Sequence, residues 1–227
     1  MLFRQLFDSE SSTYTYLLAA DFGCDAVIID PVKKNVKQYI KLIEQLGLTL
    51  VAAMDTHLHA DHITAIGELC TELRCRSMMG EQSVATGVSA RFRDNDILDF
   101  DGLKLTVLYT PGHTDDSYCF LMNDRVFTGD TLFIRGTGRT DFQHGNPGLQ
   151  YDSLLNRLLC LPERTLVYPG HDYNGMTVST IGEEIKYNPR LGVKSREEYI
   201  ELMNNLKLAP PKMIDIAVPA NKLCGIG

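Results

Sequence analysis

The chain of 227 residues has no tryptophan, and its 22 lysines and arginines are outnumbered by 29 aspartates and glutamates, for a formal net charge of −7. That balance argues against a broad nucleic-acid-binding face, though it leaves room for a local basic pocket. No apolar run approaches the roughly 20 residues of a membrane-spanning helix. The start, Met1-Leu2-Phe3-Arg4-Gln5-Leu6-Phe7-Asp8, lacks the apolar segment and small-residue cleavage site of a signal peptide. The six cysteines (Cys24, Cys70, Cys75, Cys119, Cys160 and Cys224) include no C-x-x-C pair. Several lie in apolar contexts and read as small buried hydrophobes of a reduced, cytoplasmic protein rather than a disulfide scaffold. Cys224 stands apart in a glycine-containing tail. Internal repeats, low-complexity linkers and composition shifts are also missing, so one domain over residues 1–227 is expected, with an ordinary 44% hydrophobic content to fill its core.

What is present centres on Thr56-His57-Leu58-His59-Ala60-Asp61-His62, three imidazoles and a carboxylate within seven residues. Imidazole and carboxylate are the usual ligands of zinc and iron. The preceding run, Leu50 to Met54, reads as a buried strand. Ile63, Ile66, Leu69, Cys70 and Leu73 then fall at helical spacing. The cluster therefore belongs on a strand-to-helix turn, beyond the carboxyl end of a strand, where α/β sheets keep their chemistry.

Along the rest of the chain, Tyr14–Ala20 and Ala26–Asp30 read as a hairpin about Asp21-Phe22-Gly23, and Asn35 opens a helix that Gly47 stops. Arg76–Met79 and Leu103–Tyr109 read as strands. Tyr118–Met122 and Arg125–Thr128 form a second hairpin, and Thr165–Tyr168 is a further strand. Leu149–Leu161 and Thr177–Tyr187 read as helices, as does a last one from Ser195 to about Lys207. The stretch 80–95 carries no clear period. Three strands run into a histidine, namely His57, His113 and His171, and a fourth runs into Asp130. These ends can converge only if they share one edge of the sheets. Spacing alone allows one metal or two.

His57-x-His59-x-Asp61-His62, His113 in Thr-Pro-Gly-His-Thr, Asp130 in Phe-Thr-Gly-Asp and His171 in Pro-Gly-His resemble the metallo-β-lactamase superfamily over about Tyr14 to His171. The resemblance implies an α/β (α+β) fold, an αββα sandwich of two mixed sheets flanked by helices. Finer motifs are Ile134 to Gln143, Tyr168 to Thr180, Glu183-Glu184, Asn188 to Leu191 and Ala217 to Asn221. Together they are similar to the persulfide dioxygenases, mononuclear iron enzymes that oxidise glutathione persulfide with O2 to sulfite and glutathione. Those enzymes carry cysteine where this chain has Thr137.

By that resemblance His57, His113 and Asp130 bind one Fe(II) per chain. This two-histidine, one-carboxylate set leaves positions open for substrate and O2. His59, Asp61, His62, His171 and Asp172 support it by hydrogen bonds. Tyr173 is the candidate catalytic and substrate-binding hydroxyl. Arg139 is the candidate anchor for a glutathione carboxylate, with Arg190 and Lys222 as further candidates, although an ion pair with Asp141 or Asp172 is an equally available role for Arg139. The family also implies a homodimer without nucleic-acid or membrane partners. Its location is cytoplasmic, or the mitochondrial matrix for a eukaryotic chain whose transit peptide has been removed. The enzyme alternative is a binuclear thioesterase of the glyoxalase II kind, which usually has a longer C-terminal helical domain than the 56 residues after His171 provide. The non-enzyme alternative is a metal- or sulfur-sensing module.

Overall fold

Leu2–Asp8 (β1), where the sequence predicts no element, pairs antiparallel with Thr13–Ala19 (β2), from Leu2↔Ala19 to Asp8↔Thr13. β2 is buried along its whole length, as a strand covered on both faces must be. It pairs on its other side with Asp25–Ile29 (β3). The computed structural model describes residues 1–211 and 213–226. It divides into two compact units. The first holds Met1–Phe92, Ile97–Leu105 and the stretch from Pro210 onward, and the second holds Arg93–Asp96 and Thr106–Ala209.

In the first unit, helix Val36–Gln45 (α1) follows a turn of 3-10 helix over Lys33–Asn35. The side chain of Asn35 does not cap it; its amide donates to Asp8 Oδ1 at 3.1 Å instead. Val36, Tyr39 and Ile43 turn inward at helical spacing, each worth about 1.5–3 kcal/mol of buried apolar surface. Thr49–Met54 (β4) lies parallel to β3. Ile66–Leu73 (α2) then crosses to Arg76–Gly80 (β5), which is parallel to β4. Ala90–Phe92 (β6) completes the order β1-β2-β3-β4-β5-β6, within the stretch whose sequence shows no period. Ile97–Phe100 (β7) is also unpredicted, and Leu103–Tyr109 (β8) begins in this unit and continues into the second.

In the second unit β8 pairs antiparallel with Tyr118–Leu121 (β9), which pairs antiparallel with Arg125–Gly129 (β10). Helix Pro147–Ser153 (α3) starts two residues earlier than predicted. Asn146 Oδ1 accepts from Leu149 N, and Pro147 takes the first turn, where its missing N–H costs nothing. It runs on through a wider π turn, Leu154–Leu158. Leu166–Pro169 (β11) lies parallel to β10, and Ser179–Thr180 (β12) closes that edge. Thr180, not Thr177, caps Ile181–Tyr187 (α4). Ser195 caps Arg196–Asn204 (α5), where Ser195 Oγ accepts from Glu198 N and Glu198 reaches back to Lys194 N, close to the expected capping box.

Back in the first unit, Ile214–Asn221 (α6) is a helix that the sequence does not predict, because Pro219 lies inside it.

The β1 end supplies an acid-sensitive contact. Asp8 accepts from Lys34 Nζ at 2.7 Å, Ser11 N at 2.9 Å, Ser11 Oγ at 2.8 Å and Asn35. Burial alone would raise its carboxyl pKa, but Lys34 and these donors override it and hold the group at about 2, against 3.8 for the free side chain. A depressed folded pKa gives stability that is present above about pH 3.8 and lost as the pH falls through about 2. Acid titration of unfolding should show a loss on the order of 1–2 kcal/mol across that window, trimmed by solvent around the half-exposed Lys34, and the Asp8→Asn protein should lack this component.

Candidate metal centre

In the first unit, β4 ends at Met54 and the chain turns through Asp55 to Ala65 before α2. The neighbouring parallel strand β3 ends beside it at Ile29, and the next residue, Asp30, takes a backbone φ of +51. Asp30 organises the turn. Its Oδ1 accepts from Thr56 N at 2.7 Å and lies 3.1 Å from His59 Nε2, and its Oδ2 accepts from Thr56 Oγ1 at 2.9 Å. Because the Thr56 hydroxyl hydrogen goes to Asp30, its oxygen can only accept from His57 Nδ1, 3.0 Å away. That leaves the lone pair of neutral His57 on Nε2, the state a metal ligand needs.

The rings of His57, His59 and His62 stand in file, with centroids 4.2 and 4.3 Å apart. His62 Nδ1 meets Asp61 Oδ2 at 2.8 Å. Burial pushes the His59 pKa down, but Asp30, Asp55 and Asp61 outweigh it and hold the group at about 9. Its Nδ1 is buried with no hydrogen-bond partner. His59, Asp61 and His62 place one donor atom each within 4.8 Å of one another, as do Asp30, Asp55 and His59. A cation that displaces the Nδ1 proton would find there an orphaned imidazole nitrogen beside a carboxylate.

In the second unit, His113 follows β8 and Asp130 follows β10, with His171 just beyond the parallel strand β11. His113 Nδ1 lies 2.6 Å from the Arg139 carbonyl. A carbonyl only accepts, so Nδ1 carries the hydrogen, and the neutral ring aims the Nε2 lone pair at Asp130 Oδ2, 3.5 Å away. Asp130 Oδ1 accepts from His171 Nδ1 at 2.7 Å, which directs the His171 lone pair to Nε2 as well. Two lone pairs facing each other repel unless a cation lies between them, so this donor set fits a metal.

The other predicted residues have definite places. Arg139 grips Asp141 with Nε and Nη2, at 2.6 and 2.8 Å, and reaches the carbonyls of Ala209 and Leu208, which occupies four of its five N–H donors. Arg190 donates to the carbonyl and hydroxyl of Thr137. Asp172 Oδ2 accepts from Asn174 N and Met176 N, so it shapes the turn after His171. Tyr173 is 69% exposed and stacks on the His171 ring at 6.1 Å. Lys222 is exposed at the end of α6.

Four polar residues to which the sequence assigns no role at the site build this architecture. Asp30 is one. Asn221 is another: its Nδ2 donates to the carbonyls of His59 and His62 at 2.9 and 2.8 Å, and its Oδ1 accepts from Thr64 N at 2.9 Å. In the second unit, buried Gln150 donates to the Gly138 carbonyl at 3.1 Å and accepts from Tyr199 Oη at 2.8 Å. Thr137 meets that same tyrosine hydroxyl at 3.1 Å. An aspartate straight after an apolar strand, immediately before Pro31, was a usable signal for Asp30. Thr137 and Asn221 lie in motifs of the family resemblance that give no role, and Gln150 carries no signal.

The sequence matches the Metallo-beta-lactamase superfamily over residues 84–171. Mouse persulfide dioxygenase ETHE1, mitochondrial by name, is 45% identical over 100% of this chain and 89% of its own length. The crystal structure of ETHE1 from Myxococcus xanthus is similar with a TM-score of 0.97 at 52% identity, covering 100% of both chains. A protein solved in a di-iron-bound form, TTHA1623, matches with a TM-score of 0.70 at 26% identity over 82% of this chain and 98% of that one. The chain has the metallo-β-lactamase fold and belongs to the persulfide dioxygenase family.

Proposed function

We propose that this chain is an iron-dependent persulfide dioxygenase that oxidises glutathione persulfide. One persulfide, one O2 and one water become one sulfite and one glutathione. The observation that carries this is the 45% identity to a persulfide dioxygenase across the entire chain. In this reading residues 1–227 act as one domain, and His57, His113 and Asp130 hold one Fe(II). Bound there, the ion would supply a redox-active cation with positions open to sulfur and O2. The chain's own work is orientation. Thr56 and the Arg139 carbonyl fix the tautomers of His57 and His113, and His171 holds one carboxylate oxygen of Asp130 so that the other is presented. His59, Asp61, His62 and Asp172 shape the loops that carry these residues. The remaining Nη1 hydrogen of Arg139 is offered to a glutathione carboxylate. The protein is expected to be a cytoplasmic homodimer without nucleic-acid or membrane partners; no described helix is long and apolar enough to cross a membrane.

The test is O2 uptake by anaerobically prepared, Fe(II)-loaded protein given glutathione persulfide, with sulfite measured alongside. Uptake matched one to one by sulfite supports the proposal, and none in fully loaded protein rejects it. Tyr173→Phe is expected to slow turnover roughly 10–100-fold, the worth of one hydrogen bond to a charged group. Unchanged turnover and affinity would remove Tyr173 from the reaction.

One observation favours a second reading: the partnerless Nδ1 of His59 lies among Asp61 and His62. A second metal there would suit a thioesterase of the glyoxalase II kind. That reading predicts two metals per chain and hydrolysis of glutathione thioesters without O2.

A further inference from the structure

Away from the metal centre, Cys70 in the last turn of α2 meets Cys75, the residue before β5, with Sγ atoms 2.7 Å apart. That is about 0.7 Å beyond the covalent length of a disulfide, about 2.05 Å. Arg74 between them takes a left-handed conformation, φ +58, and turns the chain back so that thiols five residues apart can touch. Both cysteines are free and half-buried, and the flanking Arg74 and Arg76 are exposed. The hydrogen bond from Cys70 holds the Cys75 thiol below its ordinary range, against the opposing effect of burial, and raises Cys70. Cys75 is thus the better nucleophile, with a second thiol already in line to resolve it.

We propose that Cys70 and Cys75 form a dithiol site that reacts with the S–S bond of small disulfides and persulfides and closes to an intramolecular disulfide. The Cys75 thiolate attacks one sulfur of the incoming bond and expels the other as a thiolate. The Cys70 thiol, releasing its proton, then attacks Cys75 Sγ and expels what Cys75 had taken up. With glutathione disulfide, the two protein thiols lose two electrons and two glutathione thiols are formed. With glutathione persulfide, attack on the outer sulfur releases glutathione, and the second attack releases that sulfur as hydrogen sulfide. Neither route needs iron or O2, so this chemistry goes beyond the proposed oxygenation. The bridge would tie the end of α2 to the start of β5.

The full chain, reduced and kept anaerobic, would be treated in separate arms with glutathione disulfide and glutathione persulfide. It would then be alkylated, digested with trypsin without reduction and read by mass spectrometry. Cleavage after Arg74 and Arg76 leaves a bridged product as the Cys70 peptide joined to the dipeptide Cys75-Arg76. The expected result is that product, with the other four cysteines alkylatable and sulfide released only in the persulfide arm. A bridge in one arm alone still supports the site and identifies its source. Full alkylation of Cys70 and Cys75 in both arms, while exposed Cys160 forms a mixed disulfide, overturns the proposal. Cys70→Ser should trap the adduct on Cys75, and Cys75→Ser should leave Cys70 unmodified. The reverse pattern overturns the assignment of Cys75 as the attacking thiol.

Discussion

The His113→Ala protein is expected to take up O2 about a thousandfold more slowly than the parent when given glutathione persulfide, and to retain little iron after gel filtration. Metal-ion catalysis contributes several kcal/mol, at 1.36 kcal/mol per tenfold in rate. His113 also faces Asp130 Oδ2 directly, so in the proposed site its removal would strip one of three ligands. Its side chain keeps some exposure, so the thermal midpoint should move little. Oxygen uptake within tenfold of the parent, measured with iron content, would remove His113 from the ligand set.

Gly138→Ala is expected to weaken iron binding about 10–100-fold without removing a ligand, and to cost about 1–3 kcal/mol of stability through overpacking. A Cβ on Gly138 would stand 2.1 Å from the Asp130 carbonyl and 2.9 Å from His113 Nδ1. The Gly138 N–H already donates to that Asp130 carbonyl at 2.9 Å. The loop cannot retreat freely either, because Gln150 holds the Gly138 carbonyl and Arg190 holds Thr137. The displacement must therefore pass to Arg139, whose carbonyl fixes the His113 tautomer. Competition with a chelator and a thermal melt read the two effects separately. Parental iron affinity in a folded variant would show that the Arg139 contact does not matter to His113.

These results depend on features with unequal visibility in the sequence. The donor-rich turns were legible because strong local patterns surround them. A run such as Leu50–Met54 followed by His-x-His-x-Asp-His reads as a strand feeding a turn of donor side chains, and the strand and turn are there. The strands β2, β3, β4, β8, β10 and β11 were legible for the same reason, each close to its expected bounds. β1 and β6 were not, since their partly exposed faces interrupt the apolar alternation. Nor was α6, where tertiary packing of buried Ala217 and Asn221 overrides an internal proline. The roles of Asn221 and Gln150 could not be read, although the motif Ala217 to Asn221 includes the first, because an amide acquires its role from contacts far away in sequence. Thr137 sits buried against Tyr199 and Arg190 as a structural hydroxyl.

The amide of Asn221 has a consequence for the order of events in the cell. It lies 162 residues downstream of His59, whose carbonyl it holds. At about 5–20 residues per second of synthesis, the ribosome finishes the histidine turn roughly 8–30 s before it makes the residue that clamps it. A nascent chain therefore displays three histidines and an aspartate on an unfastened loop throughout that interval. Metal captured then would be held by whatever geometry the loop happens to adopt, so faithful loading belongs to the finished polypeptide.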